Sequence, residues 1–303
     1  MDTFTRRDMM KIGIRIVMGA TAGSLFHGMV SGCSNSEPNR VDIDSIVRGT
    51  TRADIGPITL SVVYDNFCFK KPLKADWGFS CLVQGLDKVI LFDAGWNPDV
   101  LLGNMAKIGL DPRLIDVVFV SHDHPDHAGG VERMLEGRYG PDVFVPKSFP
   151  GGDKKTLRDM GAKVIDIGMP GVVTKNCFST GEMKSMMRNE HALVIRTNRG
   201  MIILTGCAHP GVVSIIERAK QLANDDVLLV AGGFHLLEHY DASLRKIASR
   251  FKALGVQYVS PMHCSGGEAR KIFSEVYGEK YLKGGVGRVI TVSDLTAPHV
   301  TAA

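Results

Sequence analysis

The sequence predicts a single-domain α/β protein, with two β-sheets packed face to face and helices on their outer surfaces. Runs rich in β-branched and aromatic residues follow one another closely early in the chain, whereas later ones are spaced by helical patterns, an order that suits two packed sheets. A length of 303 residues with 44% hydrophobic content suits one large core. No repeat, low-complexity tract or second domain interrupts the pattern.

Taken in order, strands are expected at 58–64, 79–83, 88–92, 117–120, 191–196, 201–204, 227–230 and 258–259, where Val, Ile, Leu, Phe and Tyr dominate. Helices are expected at 98–108, 130–136, 154–160, 212–223, 242–253 and 267–276. The organisation that follows is a leader over 1–32, a polar tether over 33–55, the folded domain over 56–295 and a tail over 296–303.

Thr5-Arg6-Arg7-Asp8-Met9-Met10-Lys11 has the form of a twin-arginine export signal. The stretch 12–30 behind it carries Arg15 and His27 and is too polar for a bilayer span, which needs about 20 apolar residues. Val30-Ser31-Gly32-Cys33 resembles a lipobox, so the expected address is periplasmic, with a lipid on Cys33 as the tie to the membrane. Removing 1–32 leaves 32 basic against 30 acidic residues, a balance that gives no argument for nucleic acid as a partner. Apart from Cys33 there are five cysteines, Cys68, Cys81, Cys177, Cys207 and Cys264, so at least one stays free or binds metal. Cys68 and Cys81 could pair.

Chemistry concentrates in Ser121-His122-Asp123-His124-Pro125-Asp126-His127-Ala128-Gly129-Gly130, directly after the apolar run 116–120. Neutral imidazole nitrogens and carboxylate oxygens are the donors a borderline cation such as Zn²⁺ accepts, and one loop that carries several lowers the entropic cost of assembling a coordination sphere. His122 and His124, two apart, can point the same way from extended backbone, while Asp126 and His127 follow where the chain turns towards a helix. One loop could therefore serve two metals.

His-x-His-x-Asp-His at the end of a hydrophobic strand, followed by Ala128-Gly129-Gly130, resembles the signature of the metallo-β-lactamase superfamily of binuclear metal hydrolases. Leu91-Phe92-Asp93-Ala94-Gly95, Thr205-Gly206-Cys207-Ala208-His209 and Pro261-Met262-His263-Cys264 occur in the order that family has, and the resemblance spans about residues 58–292. It implies an αββα metallo-β-lactamase sandwich, two divalent metal ions (zinc first, with iron or manganese open) and a small-molecule substrate. Within the family, Tyr64-Asp65-Asn66, Gly78-Phe79-Ser80, Gly232-Gly233-Phe234-His235-Leu236 and His263-Cys264-Ser265-Gly266 resemble the branch labelled dihydropterin-ribofuranosylaminobenzene-phosphate synthase. Trp77 stands where that branch usually has His.

Counting donors assigns His209 as the third ligand beside His122 and His124, and His263 as the third beside Asp126 and His127. Two open three-ligand sites result, as catalytic metals require. Asp126 is also expected among the catalytic groups. Cys207 stands where most relatives have an Asp bridging the two metals. Three readings stay open: a bridging thiolate, an inert neighbour of the ligands, or a shifted register in which His191 replaces His209. His235 is a candidate for substrate binding or proton donation, or else a histidine at the edge of the core. Asp93 is expected to orient the ligand loop from behind, because metal-bound imidazoles usually donate their other N–H to a carboxylate.

These readings lead to a metal-dependent hydrolase of a phosphoester or other small-molecule ester. A transferase of the synthase type and a periplasmic metal or ligand binder without turnover are the rivals. The synthase's substrates are cytosolic, which counts against it for an exported chain. The missing bridging Asp supports the binder.

Overall fold

The structure is a computed structural model that describes residues 43–136 and 140–296. The expected export signal, the lipobox at Cys33, the start of the tether and positions 297–303 of the tail lie outside those residues.

The first sheet contains β1 (Thr59–Tyr64), β2 (Ser80–Gln84), β3 (Ile90–Phe92), β4 (Val117–Phe119), β5 (Asp142–Pro146) and β6 (Lys163–Ile167). The second contains β7 (Gly171–Thr174), β8 (Cys177–Ser179), β9 (Leu193–Thr197), β10 (Gly200–Thr205), β11 (Val227–Gly233) and β12 (Tyr258–Met262). A last strand, β13 (Val289–Thr291), returns to the first sheet beside β1, giving the orders β13-β1-β2-β3-β4-β5-β6 and β12-β11-β10-β9-β8-β7. β3 to β6 are parallel, as are β10 to β12; the other pairings are antiparallel.

Successive strand residues face opposite ways, and this alternation sorts the apolar side chains into three layers. Phe79, Phe92 and Phe119 meet Leu193, Ile195, Ile202 and Leu204 between the sheets. Val63, Leu91, Val118 and Val143 face outward against α2 (Pro98–Lys107), α4 (Val131–Leu135) and α5 (Gly151–Asp159). Val194, Ile203, Val230 and Val259 face outward against α6 (Val212–Ala223), α7 (Asp241–Ala253) and α8 (Gly267–Tyr277). The expected αββα sandwich is the observed one, and because the central strands are covered on both faces, they read as continuous apolar runs.

The helix expected at 212–223 has those bounds. β5 to β8 and β13 were not expected from the sequence. They are short, and β6 and β7 lie at sheet edges with charged residues or glycine in the run, such as Lys163, Asp166 and Gly171. A one-turn helix, α3 (Pro125–Ala128), also breaks the loop of the histidine cluster.

The tether expected over 33–55 is corrected by helix α1 (Ile43–Gly49), which lies inside it. Ile46 is 1% exposed and packs in the core beneath the second sheet with Ile215 and Ala219. Arg196 on β9 clamps the segment: its Nη1 donates to Val47 O, Thr50 O and Thr50 Oγ1, and its Nε to Asp225 Oδ2 at 3.0 Å. Ala53 N adds a bond to Arg196 O. Partners more than 140 residues away create this order, so local composition does not show it. Whether Cys68 pairs with Cys81 is open in the sequence, and the structure does not pair them. Both are free, Cys68 exposed and Cys81 buried.

Replacing Arg196 by Met removes the clamp and leaves the buried Asp225 to the exposed Arg52, which bonds its other carboxylate oxygen. It is expected to cost about 3 kcal/mol in urea unfolding and to open the chain near residue 50 to protease. Unchanged stability and protease resistance would return this segment to the status of a tether.

Candidate metal centre

Functional side chains gather where strands stop. Asp93 follows β3, the 121–127 loop follows β4, Gly206 to His209 follow β10, His235 follows β11 and His263 follows β12. Four of the five non-glycine residues with positive φ among the described residues lie at these ends: Asp93 (56°), Ala208 (62°), His235 (53°) and His263 (47°). Side chains other than glycine rarely adopt this conformation, and packing must hold them there. At Gly206 the chain passes so close to the first sheet that a Cβ would sit 2.0 Å from Ser121 Oγ.

Hydrogen bonds fix which nitrogen of each ring is bare. Ser121 Oγ donates to Asp93 Oδ2 at 2.9 Å, so its oxygen accepts from His122 Nδ1 at 2.9 Å and leaves His122 Nε2 with a lone pair. His127 Nδ1 donates to the same Asp93 Oδ2 at 2.7 Å, His209 Nδ1 to Glu190 Oε2 at 2.9 Å, and His263 Nδ1 to Asn66 Oδ1 at 3.0 Å. The Nε2 atoms of these three rings are therefore free to coordinate. His127 Nε2 and His263 Nε2 lie 3.2 Å apart, with Asp126 Oδ2 3.7 and 3.3 Å away; His122 Nε2 and His124 Nδ1 are 3.1 Å apart. Lone pairs crowded so closely need a cation, or a proton, between them.

The donors form two groups, each with ligand atoms within 4.8 Å of one another: His122, His124 and His209; and Asp126, His127, Cys207 and His263. Burial and the neighbouring imidazoles hold His122 well below its ordinary range, and burial with His209 lowers His124 to about 4; both keep the neutral form a metal accepts. Burial would raise Asp126, but His127 and His263 outweigh it and hold the carboxylate below its usual range. Burial also opposes protonation of His127, yet Asp126 and Asp93 raise it to about 9, so a cation would displace a proton there. The residues fit a pair of divalent cations.

Glu190 was absent from the sequence reading. Fully buried, its Oε1 accepts from the backbone N–H of Gly206, Cys207 and Ala208, and its Oε2 from His209 N and Nδ1, at 2.9–3.1 Å. Burial works against its ionisation, but His209 and these N–H groups keep it below the ordinary carboxylate range. Its one sequence signal is an acidic residue at the mouth of an apolar strand. Asn66, noted only for its place in the branch motif, accepts from Gly78 N as well as from His263.

Cys207 stands within reach of both groups. Its Sγ is 3.2 Å from His127 Nε2, and it also clusters with His209 and His235. Burial, with Cys264, Asp126 and Glu190 nearby, raises the thiol well above its ordinary value, so a thiolate there requires a cation beside it. His235 is half-buried, its ring 4.7 Å from that of His209 and its Nδ1 without a partner. His191 is elsewhere: its ring stacks on Phe119 at 4.1 Å, and its nitrogens meet Val120 O and Ser179 Oγ. The shifted register that would make His191 a ligand does not agree with this placement.

Fold and site point to one class: the family model of the metallo-β-lactamase superfamily matches residues 78–146 of the chain. It is 27% identical over 273 residues to the 7,8-dihydropterin-6-methyl-4-(beta-D-ribofuranosyl)-aminobenzene-5'-phosphate synthase of Methanocaldococcus jannaschii, covering 73% of this chain and 92% of that protein. It superposes with a TM-score of 0.66 and 28% identity on Tm1679, described as a metal-dependent hydrolase of the β-lactamase superfamily, covering 77% of this chain and 98% of that one. A match at 16% identity and a TM-score of 0.59 to the Bacillus subtilis metallo-β-lactamase fold protein YhfI, over 77% and 99%, shows the shared fold.

Glu190→Gln keeps the shape but loses the charge and turns one acceptor into a donor facing N–H groups. Metal affinity, read by chelator competition, is expected to fall about 10- to 100-fold; unchanged affinity would leave Glu190 no role in positioning His209. His191 gives a pH prediction, since burial lowers it from 6.5 to about 4. The unfolded chain then binds more protons between those values, so stability is complete above pH 6.5 and falls by about 3 kcal/mol on acidification to pH 4. In His191→Gln this part of the pH–stability curve flattens; an unaltered curve would refute the assignment.

Proposed function

We propose that this chain is a metal-dependent hydrolase of small-molecule esters, phosphoesters foremost. The observation that carries the reading is the convergence of bare imidazole nitrogens and one carboxylate oxygen into two adjacent groups, one of three donors and one of four with the Cys207 thiol. His122, His124 and His209 would hold one divalent cation, and Asp126, His127 and His263 the other, with Cys207 between them. When bound, such a pair lowers the pKa of water towards neutrality and polarises an acyl or phosphoryl oxygen. Asp93, through Ser121 and His127, and Glu190, through His209, fix ring orientation and tautomer. Asn66 does the same for His263. The hydrogen bond with Cys264 raises His235 above its ordinary value, outweighing burial, so the ring holds a proton nearer neutral pH at the rim of the cluster. We assign it proton delivery to the leaving group.

A second reading, transfer to a pterin acceptor, is supported by the name of the M. jannaschii relative. One assay separates the two. Multiple turnover of bis(p-nitrophenyl) phosphate that stops on chelation and returns with metal supports hydrolysis; turnover that requires a pterin acceptor supports transfer; bound metal without either supports the binder. His122→Ala and His263→Ala are each expected to remove about one metal equivalent and lower turnover by more than about 100-fold. Cys207→Ser is expected to abolish the thiolate-to-metal charge-transfer band of the cobalt-loaded protein; its persistence would show that Cys207 binds no metal.

A further inference from the structure

On the α2 side of the first sheet lies a cleft of about 430 Å³ that shares no residue with the metal centre. Lys70, Lys71 and Lys107 line it together with Arg288, and Pro72 and Leu73 form part of its wall. No carboxylate lines it. A neighbouring recess of about 270 Å³ shares Lys107 and adds Lys74, with Asp99 as its one acidic group.

These cations come from three separated parts of the chain, and most have little structural duty. Lys107 Nζ bonds Pro72 O at 3.3 Å and lies in the last turn of α2, where it also offsets the helix dipole. Arg288 is held by the Phe69 ring, 5.0 Å from its guanidinium carbon, while its buried Nε has no hydrogen-bond partner. Lys70 and Lys71 are exposed at the rim. Four like charges around one concavity repel each other, and a multiply charged anion relieves that repulsion while supplying acceptors to the guanidinium fork. The volume falls in the range of small-molecule sites, roughly 300–1,000 Å³.

We infer that this cleft, formed by Lys70, Lys71, Lys107 and Arg288, binds a phosphate-bearing anion independently of the metal centre. The phosphate belongs either to a soluble phosphomonoester or to the headgroup of an anionic lipid. The inference does not rest on the hydrolase reading.

The test is calorimetric titration of the metal-loaded full chain with glycerol 1-phosphate and with inorganic phosphate, at ionic strength fixed with chloride. A parallel arm floats the protein with phosphatidylglycerol or phosphatidylcholine vesicles. Saturable binding of a soluble phosphate is expected to survive in His263→Ala and to weaken at least about tenfold in Lys107→Gln/Arg288→Gln. Lys70→Gln/Lys71→Gln, with both changes at exposed positions, provides a second variant should the first fold poorly. Flotation with phosphatidylglycerol vesicles alone, weakened by the same changes and without soluble binding, also supports the site and assigns the phosphate to a lipid. Binding in neither arm, binding unaffected by the cleft variants, or binding lost only in His263→Ala overturns the inference. Metal content and diester turnover, the readouts of the hydrolase reading, do not depend on any of these results.

Discussion

Two buried carboxylates, Asp93 and Glu190, hold the candidate metal centre in shape. Each is fully enclosed and surrounded by hydrogen-bond donors from the segments it organises: Asp93 by Ser121 and His127, Glu190 by four consecutive backbone N–H groups and His209. Burial alone would disfavour their charged forms, and the donors around them oppose that penalty. The consequence passes along the chain of contacts. A ring whose Nδ1 is committed to a carboxylate presents a bare Nε2, so the same bonds set orientation, tautomer and metal affinity together.

The two-sheet architecture places these carboxylates. β3 and β4 run parallel in one sheet, and β10, β11 and β12 run parallel in the other. Their ends deliver Asp93, the His122–His127 loop, His209, His235 and His263 to one edge of the sandwich. The apolar layer between the sheets keeps that edge rigid, and rigidity allows backbone at Asp93, Ala208, His235 and His263 to hold positive φ. A pair of imidazoles 3.2 Å apart is tolerable only on such a frame.

Cys207 adds a sulfur donor to a cluster otherwise built of imidazoles and a carboxylate. A thiol in that surrounding stays protonated until a cation arrives, and a thiolate favours softer metals than a carboxylate does. The cationic cleft shows a related principle at longer range. Net charge near balance says nothing of where the charges lie, and Lys70, Lys107 and Arg288 become one feature only after folding.

The sequence by itself determined the layered fold and the central loop. Strand and helix periodicities survive in any environment that buries one face, and His122, His124, Asp126 and His127 are so close in the chain that their chemistry is local. Tertiary structure decided what depends on partners distant in sequence. Glu190 looks like an ordinary acidic residue until the turn 206–209 wraps around it. Helix α1 reads as polar tether until Arg196, some 146 residues later, binds its end. His191 and His209 were exchangeable in sequence, and only packing put one against Phe119 and the other against Glu190. Hydrophobic pattern is written along the chain, whereas the satisfaction of a buried charge is written across it.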